Sequence, residues 1–254
     1  MLLAIDIGNS AVKGGLFDGT HLVSTFRIAH QGGDVSPILD HLRGHTTGVE
    51  VSRIAVASVV PTLTEALSAG LQTICAEPLT IVSSESELPI RLEYDDPSRL
   101  GSDRIAASVA AYALAPARNA GNRPLVVIDA GTAVTFNVVD PKGVFRGGLI
   151  WVGPDLVLRA LHGGTAQLPH AGSHGTPRPI ATDTESALYG GAMFGFVEGS
   201  RGIVRRIADG LGAMPAVFVT GGRGEALLEA LVNPILEPHL VLHGIRIVAE
   251  LNAR

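Results

Sequence analysis

The segment LAIDIGNSAVKGG near the start of the chain contains an apolar run of strand type that stops at a carboxylate, Asp6. A carboxylate at the end of a buried strand projects away from the paired backbone, where it could hold Mg²⁺ directly or through water. Gly8 lets the backbone approach an anion without a Cβ in the way, and turn N–H groups bind anionic oxygens together with Asn9 and Ser10. Lys13, on the following strand, could neutralise phosphate charge. The segment therefore predicts a phosphate-binding turn, although an ordinary β-hairpin turn also favours Asp, Gly and Asn.

A similar segment occurs in the second half of the chain. LLAIDIGNSAVKGGLFDGTHL superimposes without a gap on LVVIDAGTAVTFNVVDPKGVF, which places Asp129 on Asp6 and Thr132 on Asn9. An internal repeat of this kind predicts two similar α/β domains, with one loop from each directed at the cleft between them. Because both copies carry the same turn at equivalent positions, we expect both turns to bind phosphate.

A third glycine-rich stretch, VFVTGGRGEALL, lies at residues 217–228. It predicts a strand, a Thr-Gly-Gly loop that faces the adenosine of a nucleotide, and a helix. A simple strand-to-helix turn is an equally favoured alternative. The sequence contains neither G-x-x-x-x-G-K-[ST] nor G-x-G-x-x-G, so a Walker-type or Rossmann-type nucleotide site is excluded.

The composition is that of a compact globular protein, with 46% hydrophobic and 17% charged residues among 254. The net charge of -5 and the scattered Lys and Arg residues argue against nucleic-acid binding. The single cysteine, Cys75, excludes a disulfide framework and a cysteine-based zinc cluster. No signal-peptide pattern occurs and no apolar run reaches about 18 residues, so we expect a soluble cytoplasmic protein that does not bind a membrane.

Runs rich in β-forming residues alternate with runs rich in alanine and leucine, which is typical of an α/β chain. The predicted strands are 2–5, 12–17, 21–28, 53–58, 125–128, 134–139, 144–149 and 216–220, and the predicted helices are 35–41, 63–73, 103–114 and 184–210. The turn-rich stretch AGNRP at 120–124 predicts an N-terminal domain of residues 1–118 and a C-terminal domain of residues 119–254.

Duplicated α/β domains with an Asp-x-Gly turn in each resemble the superfamily of acetate and sugar kinases, heat-shock chaperones and actin. The resemblance implies duplicated ribonuclease H-like (actin-like ATPase) domains with an interdomain cleft. Within that superfamily, YDDPSRLGSDRIAAS resembles the substrate segment of type III pantothenate kinases. Further landmarks of this family follow one another along almost the whole chain: DIGNSAVK, ASVVP, DAGTAVT, GGLI, TAQLP, TESALYGG, TGG and PHLVLHGI. The last of these resembles the closing strand and turn of the family.

This resemblance implies an enzyme that uses ATP and Mg²⁺ to phosphorylate pantothenate to 4'-phosphopantothenate, the first step of coenzyme A biosynthesis. It implies that Asp103 is the general base, and that the substrate is bound by Tyr94, Gly101, Ser102, Asp103, Arg104 and Thr184. It implies that the ATP phosphates are bound by Asp6, Ile7, Gly8, Asn9, Ser10, Ala11, Val12, Lys13 and Thr132. Asp129 would bind a monovalent cation, K⁺ or NH₄⁺, and Asp6 would hold Mg²⁺ directly or through water. The family also implies a homodimer with the substrate site at the subunit interface.

The chemistry of the residues agrees with these roles. Phosphoryl transfer depends mainly on positioning and charge stabilisation, with an acidic residue that orients the attacking hydroxyl. Asp103 begins a predicted helix, whose dipole favours a carboxylate there, and Arg104 presents a planar fork suited to a carboxylate or a phosphate. Without the resemblance, Asp103 would be a helix cap with Arg104 in a surface ion pair, Tyr94 a core aromatic residue and Thr184 an N-cap.

Two positions depart from the family pattern. Asn137 stands where an Asp is expected two residues after Thr135, which removes a negative charge near the cation site. The Pro-Gly expected after GGLI and one residue is replaced by WVGP, in which Gly153 is retained, so we expect the turn to survive. These departures leave open a second function, that of a catalytically weak family member acting as a regulatory accessory protein.

Overall fold

The computed structural model describes residues 1–30, 34–172 and 175–253, which form two compact units. The first unit comprises Met1–Ala115, Gly143–Phe145 and His239–Arg254, and the second unit comprises Pro116–Lys142 and Arg146–Pro238. The domain boundary between residues 118 and 119 stays a prediction.

The strands, in chain order, are β1 (Leu2–Ile7), β2 (Ala11–Asp18), β3 (His21–Ala29), β4 (Arg53–Ser58), β5 (Thr80–Ile81), β6 (Arg91–Leu92), β7 (Leu125–Ala130), β8 (Ala133–Val139), β9 (Val144–Val152), β10 (Ala216–Thr220) and β11 (Ile235–Leu236). The helices are α1 (Ser36–His45), α2 (Pro61–Gln72), α3 (Ser102–Leu114), α4 (Pro154–Gly164), α5 (Thr184–Leu211) and α6 (Leu240–Leu251). The eight strands and four helices with predicted bounds are confirmed with small shifts at their ends. The helix predicted after the Thr-Gly-Gly loop is wrong, since only a short 3-10 helix, Gly224–Leu227, occurs there. The helices α4 and α6 and the two-residue strands were not predicted.

The sheets of the two units have the same strand order. The order is β3-β2-β1-β4-β5 in the first unit and β9-β8-β7-β10-β11 in the second. β1 pairs with β2, and β7 with β8, in antiparallel orientation. β4 pairs with β1, and β10 with β7, in parallel orientation. The short strand β6 pairs with the start of β9, within the first unit. The repeat in the sequence is therefore a duplication of the fold.

Helices cover both faces of the first sheet, which explains why residues 2–5 of β1 and 54–57 of β4 are continuously apolar. The aliphatic side chains of β1 and β4 pack with α1 and α2 in one cluster that includes Leu3, Ile5, Ile7, Ile54, Val56, Leu42 and Leu67. Ala4, Ala55 and Ala57 alternate with these residues in the strands, where α6 contacts both β1 and β4 and α3 contacts β4. Small side chains on the second face allow α3 and α6 to lie close to the sheet.

The segment PHLVLHGI is helical, so the prediction of a closing strand and turn is wrong. Its apolar residues fit a strand by composition, but together with the residues that follow they recur at helical spacing. The buried residues Leu240, Gly244 and Val248 are four apart, as are Val241 and Ile245. The resulting helix α6 packs against α3, where a Cβ on Gly244 would lie 1.9 Å from the backbone oxygen of Ala106. Burial against α3 and the sheet therefore decides the conformation of this segment.

In the second unit, α5 packs on the sheet through Tyr189, Met193 and Phe196, which contact a core of aliphatic and aromatic strand residues. The helix ends at Gly212, whose φ of 63° is the left-handed conformation common after helices. Across residues 1–30, 34–172 and 175–253, no helix is both long enough and apolar enough to cross a membrane.

Candidate active site

The first predicted phosphate turn joins β1 to β2. Asp6 and Lys13 lie opposite each other in the two strands, with Lys13 Nζ 3.6 Å from Asp6 Oδ2. The turn is closed by the backbone N–H of Gly8, which donates to the carbonyl oxygen of Ala11 at 3.1 Å. Asp6 is only 6% exposed, so its carboxylate is held in place at the strand end beside the lysine.

The eight residues predicted for the first turn do not all present side chains to solvent. Asn9 and Ser10 are exposed at the tip, whereas Ile7, Ala11 and Val12 are buried. Any contact of these three buried residues with a nucleotide would therefore be made by their backbone groups. The roles of all eight residues stay predictions.

His30 holds the first turn from β3, a contact that the sequence did not reveal. Its backbone N–H donates to the carbonyl oxygen of Ser10 at 3.2 Å, and its Nε2 lies 2.8 Å from the carbonyl oxygen of Gly8. A carbonyl oxygen can only accept, so Nε2 carries the proton in this contact. The Gly8–Asn9 peptide is trans, so its N–H points away from His30.

The end of β4 connects the first turn to the start of α3. β1 and β4 are parallel, and the backbone N–H of Val59 donates to the carbonyl oxygen of Ile7 at 3.1 Å. The hydroxyl of Ser102 donates to the carbonyl oxygen of Ser58 at 2.8 Å. The landmark ASVVP thus links the segment that contains Asp6 to the helix that carries Asp103, two regions far apart in sequence.

Asp103 lies in the first turn of α3, where Gly101 is the N-cap. Its Oδ1 accepts a hydrogen bond from the backbone N–H of Arg104 at 2.7 Å. A Cβ on Gly101 would lie 2.5 Å from this oxygen, so a side chain there would displace the carboxylate. The carboxylate is partly exposed and has a defined orientation.

Arg104 is buried, which does not fit the alternative that places it at the surface. It is 7% exposed, and its guanidinium carbon lies 6.0 Å from the ring centre of Tyr94 and 5.7 Å from that of Phe145. Tyr94 is 37% exposed, which also excludes the core-aromatic alternative. The structure thus brings Tyr94, Gly101, Ser102, Asp103 and Arg104 together in the first unit.

The second predicted turn joins β7 to β8 and is one residue shorter than the first. Asp129 lies opposite Thr135, and the backbone N–H of Gly131 donates to the carbonyl oxygen of Ala133 at 3.1 Å. The gapless superposition is therefore correct up to the turn and wrong by one residue in the second strand. The position equivalent to Lys13 is Thr135, so the second turn has no lysine at that position.

Two glycines from distant segments contact the second turn. The backbone N–H of Gly153 donates to the carbonyl oxygen of Thr132 at 3.0 Å, and a Cβ on Gly153 would lie 2.3 Å from the carbonyl oxygen of Gly131. Gly221 has a φ of 87°, and a Cβ there would lie 2.4 Å from Asp129 Oδ1. The Thr-Gly-Gly loop and the retained Gly153 are therefore both in contact with this turn.

The two departures from the family pattern have different outcomes. The WVGP segment keeps the turn, as expected, and Trp151 packs against Gly199 of α5, where a Cβ would lie 2.0 Å from the indole ring. Asn137 is fully buried and its Nδ2 lies 3.4 Å from the hydroxyl oxygen of Thr135, which faces Asp129 across the strands. The side-chain amide of Asn137 thus lies within the β7–β8 pair, next to the residue opposite Asp129.

Thr184 is the first residue of α5, and the N-cap is Asp183. The Asp183 carboxylate accepts a hydrogen bond from the backbone N–H of Ser186 at 2.8 Å, which lowers the pKa of that carboxyl group. The alternative of Thr184 as the N-cap is therefore wrong. Thr184 is exposed in the second unit, and its contact with substrate stays a prediction.

The donors available for a metal ion are single carboxylates. No group of three His, Cys, Asp or Glu residues that could hold a metal ion occurs within the described parts of the chain. Asp6 and Asp129 would each supply one carboxylate, and the remaining ligands would be hydroxyls, carbonyls, water or phosphate. At Asp6, that donor set fits Mg²⁺, which is commonly held by one or two carboxylates together with water and substrate phosphates.

Comparisons with known proteins point to one family. A family model described as type III pantothenate kinase matches residues 2–206. The type III pantothenate kinase of Moorella thermoacetica is 35% identical over 99% of this chain and 100% of its own length. That of Thermomicrobium roseum is 34% identical over 97% of this chain and 95% of its own length.

Solved structures agree on the fold. A Campylobacter jejuni protein described as a Baf family transcriptional activator has a TM-score of 0.61 at 21% identity, covering 98% of this chain and 97% of its own. A ROK family glucokinase from Streptomyces griseus, solved with glucose and AMPPNP, has a TM-score of 0.55 at 15% identity, covering 97% and 88%. At these identities the likeness shows the fold alone, and it confirms duplicated ribonuclease H-like domains of the actin-like ATPase type. It lends no support to the accessory-protein alternative.

Proposed function

The chain belongs to the type III pantothenate kinase family, and we propose that it transfers the γ-phosphoryl group of ATP to the hydroxyl of pantothenate. The product would be 4'-phosphopantothenate, in the first step of coenzyme A biosynthesis. The observation that carries this proposal, beyond the family match, is the linkage of the Asp6 turn and the Asp103 helix to the end of β4. Phosphoryl transfer depends on the relative position of the phosphates and the acidic residue, which a shared strand end would help to fix.

The first turn would bind the ATP phosphates through backbone N–H groups and the exposed side chains of Asn9 and Ser10. His30 fixes the peptide between Gly8 and Asn9 so that its N–H is directed away from β3. Lys13 would place positive charge beside the phosphates, and Asp6 would hold Mg²⁺ directly or through water. Bound Mg²⁺ neutralises the charge that develops on the phosphoryl oxygens.

Asp103 would act as the general base. The pantothenate hydroxyl oxygen attacks the γ-phosphorus, the bond from the γ-phosphorus to the bridging oxygen of ADP breaks, and the hydroxyl proton passes to the carboxylate. Oδ1 accepts from the backbone N–H of Arg104, and we propose Oδ2, which has no such backbone donor among the described residues, as the oxygen for this proton. The hydrogen bond holds the carboxylate in one orientation, and such positioning is a large part of catalysis.

The remaining substrate contacts are proposed for Tyr94, Gly101, Ser102, Arg104 and Thr184. The guanidinium of Arg104 lies near two aromatic rings, and its planar fork would bind the pantothenate carboxylate. Tyr94 is 37% exposed, which leaves part of the residue accessible to a substrate.

We propose in addition that Asp129 and its surroundings bind K⁺ or NH₄⁺ and that Thr132 contacts an ATP phosphate. The protein would act as a cytoplasmic homodimer with the substrate site at the subunit interface. Leu149 and Ile150 of β9, 47% and 64% exposed, and Phe194 of α5, 39% exposed, are apolar residues that a partner subunit would cover.

The test is ADP release from ATP and Mg²⁺ with and without pantothenate, in potassium and in sodium buffers. Asp103→Asn should lower pantothenate-dependent kcat by roughly 100-fold to 10,000-fold, the usual contribution of a general base, with ATP affinity retained. Asp95→Asn is the matched control, since it makes the same change at an exposed position nearby and should leave kcat unchanged.

Wild-type protein that binds ATP but shows no pantothenate-dependent ADP release would refute the proposed reaction. Equal loss in the Asp103 and Asp95 variants would refute the assignment of the base. Equal rates in potassium and sodium would refute the monovalent-cation site at Asp129.

A further inference from the structure

An ion pair in the second unit connects the Thr-Gly-Gly loop to the start of α4. Arg223 Nη2 lies 2.6 Å from Asp155 Oδ1, and Arg223 Nε lies 3.3 Å from Asp155 Oδ2, so the guanidinium engages both carboxylate oxygens. Arg223 follows Gly221 in the loop after β10, and Asp155 is in the first helical turn of α4. Neither residue was singled out by the sequence.

Both partners of this ion pair sit beside residues that contact the second phosphate turn. The backbone N–H of Arg223 donates to the carbonyl oxygen of Ala130, at 3.0 Å. Gly153, the N-cap of the helix that carries Asp155, donates its N–H to the carbonyl oxygen of Thr132, also at 3.0 Å. The turn is therefore held from two sides, and the ion pair joins those two sides.

The energy of the pair is modest, but its geometry is restrictive. The side chains of Arg223 and Asp155 are 28% and 40% exposed, and pairs with that much exposure to water contribute about 1 kcal/mol or less to stability. A bidentate contact nevertheless fixes both the distance and the relative orientation of the two segments that it joins. Its effect should appear in the position of the turn more than in the stability of the fold.

We propose that Arg223 and Asp155 are a pair of positioning residues that holds the second turn in the geometry required for nucleotide binding. This inference rests on the proposed function of that turn. The pair itself does not touch the nucleotide; it acts through the backbone contacts of Ala130 and Thr132.

The experiment measures Kd for a non-hydrolysable ATP analogue by titration calorimetry, together with KM for pantothenate and the thermal midpoint. The variants are Arg223→Ala, Asp155→Ala, their double variant and Arg223→Lys. Arg118→Ala is the matched control, because Arg118 forms an ion pair with Glu237 in the same unit.

Each alanine variant should raise Kd for the analogue roughly twofold to fivefold, the range expected for loss of such a pair. The double variant should match the single variants, because one interaction is lost in all three. Arg223→Lys, which keeps the charge without the planar fork, should fall between wild type and Arg223→Ala. KM for pantothenate and the Kd of Arg118→Ala should stay at their wild-type values.

An unchanged Kd in the alanine variants would overturn the inference, even if the thermal midpoint fell. A double variant with the product of the two single effects would also overturn it, since Arg223 would then act independently of Asp155. If the wild type binds the analogue but does not phosphorylate pantothenate, the proposed function fails, and the Kd comparison still decides whether the pair positions the turn.

Discussion

Replacing Gly153 by alanine isolates the contact between α4 and the second turn. The φ and ψ angles of Gly153 are −80° and 159°, an extended conformation that alanine adopts without strain. The added methyl group is therefore the whole perturbation. It would lie 2.3 Å from the carbonyl oxygen of Gly131 and 2.7 Å from that of Thr132, both of them backbone atoms of the turn.

The size of the effect follows from the distance. Contacts of a Cβ with an oxygen below 3.0 Å are essentially absent from proteins, so the turn or α4 must move by roughly 0.7 Å. A displacement of about 1 Å in a group that positions substrate can cost about 100-fold in rate, so we expect kcat/KM for ATP to fall roughly 10-fold to 100-fold. The free energy of unfolding should fall by about 1–3 kcal/mol, as it does at other overpacked sites.

The assay combines steady-state kinetics at varied ATP with denaturant unfolding. Gly163→Ala is the matched control, since it adds the same methyl group to α4 at an exposed position where nothing outside the local helix backbone lies within 4 Å. It should keep wild-type kinetics and gain up to about 1 kcal/mol of stability, because alanine favours a helix over glycine. If Gly153→Ala behaves like the control, the close contact with the turn does not exist and the reasoning fails.

Two further predictions concern histidines of the first unit. His30→Leu removes the donor to the carbonyl oxygen of Gly8 and should raise KM for ATP severalfold with little change in kcat. His30→Gln retains an N–H donor, so its KM for ATP should lie between those of wild type and His30→Leu. Equal KM values in the two variants would argue against a role for this hydrogen bond. Burial lowers the pKa of His45 below its ordinary value of 6.5, so the neutral form is favoured in the folded protein. The stability that neutral His45 contributes is present above about pH 6.5 and is lost as the pH falls through the lowered pKa. The thermal midpoint should therefore fall more between pH 7.5 and pH 5.5 in wild type than in His45→Gln. An equal fall in the two proteins would contradict a lowered pKa for His45.

The local chemistry of the site could be predicted because it is written in short segments. An Asp at the end of an apolar strand, followed by Gly two residues later, is enough to predict a turn with a carboxylate beside it, and both turns are found. Asp103 likewise occurs in the first turn of a helix, as its alanine-rich sequence indicated. These features depend on residues within a few positions of one another.

The exact register of the repeat could not be predicted, because a deletion of one residue in a turn leaves the apolar pattern of the next strand almost unchanged. Ala-Val follows the turn in both copies, so Val12 and Val134 are the equivalent buried residues, and both are fully buried. The gapless superposition pairs Val12 with Thr135 instead. Cross-strand pairing shows the difference, since Asp6 lies opposite Lys13 while Asp129 lies opposite Thr135.

Contacts between distant segments account for the remaining features that the sequence did not show. His30 and Arg223 have ordinary surroundings in the sequence, and each acquires its role only when a neighbouring strand or loop is brought against a turn. The position of ASVVP is different, because it follows from a general rule once β4 is known to pair in parallel with β1. Parallel strands end at the same edge of a sheet, so residues that follow one such strand lie beside residues that follow the next. Any segment that follows β4 must therefore lie beside the Asp6 turn, and Ser58 and Val59 are the residues that make this contact with Ser102 and Ile7.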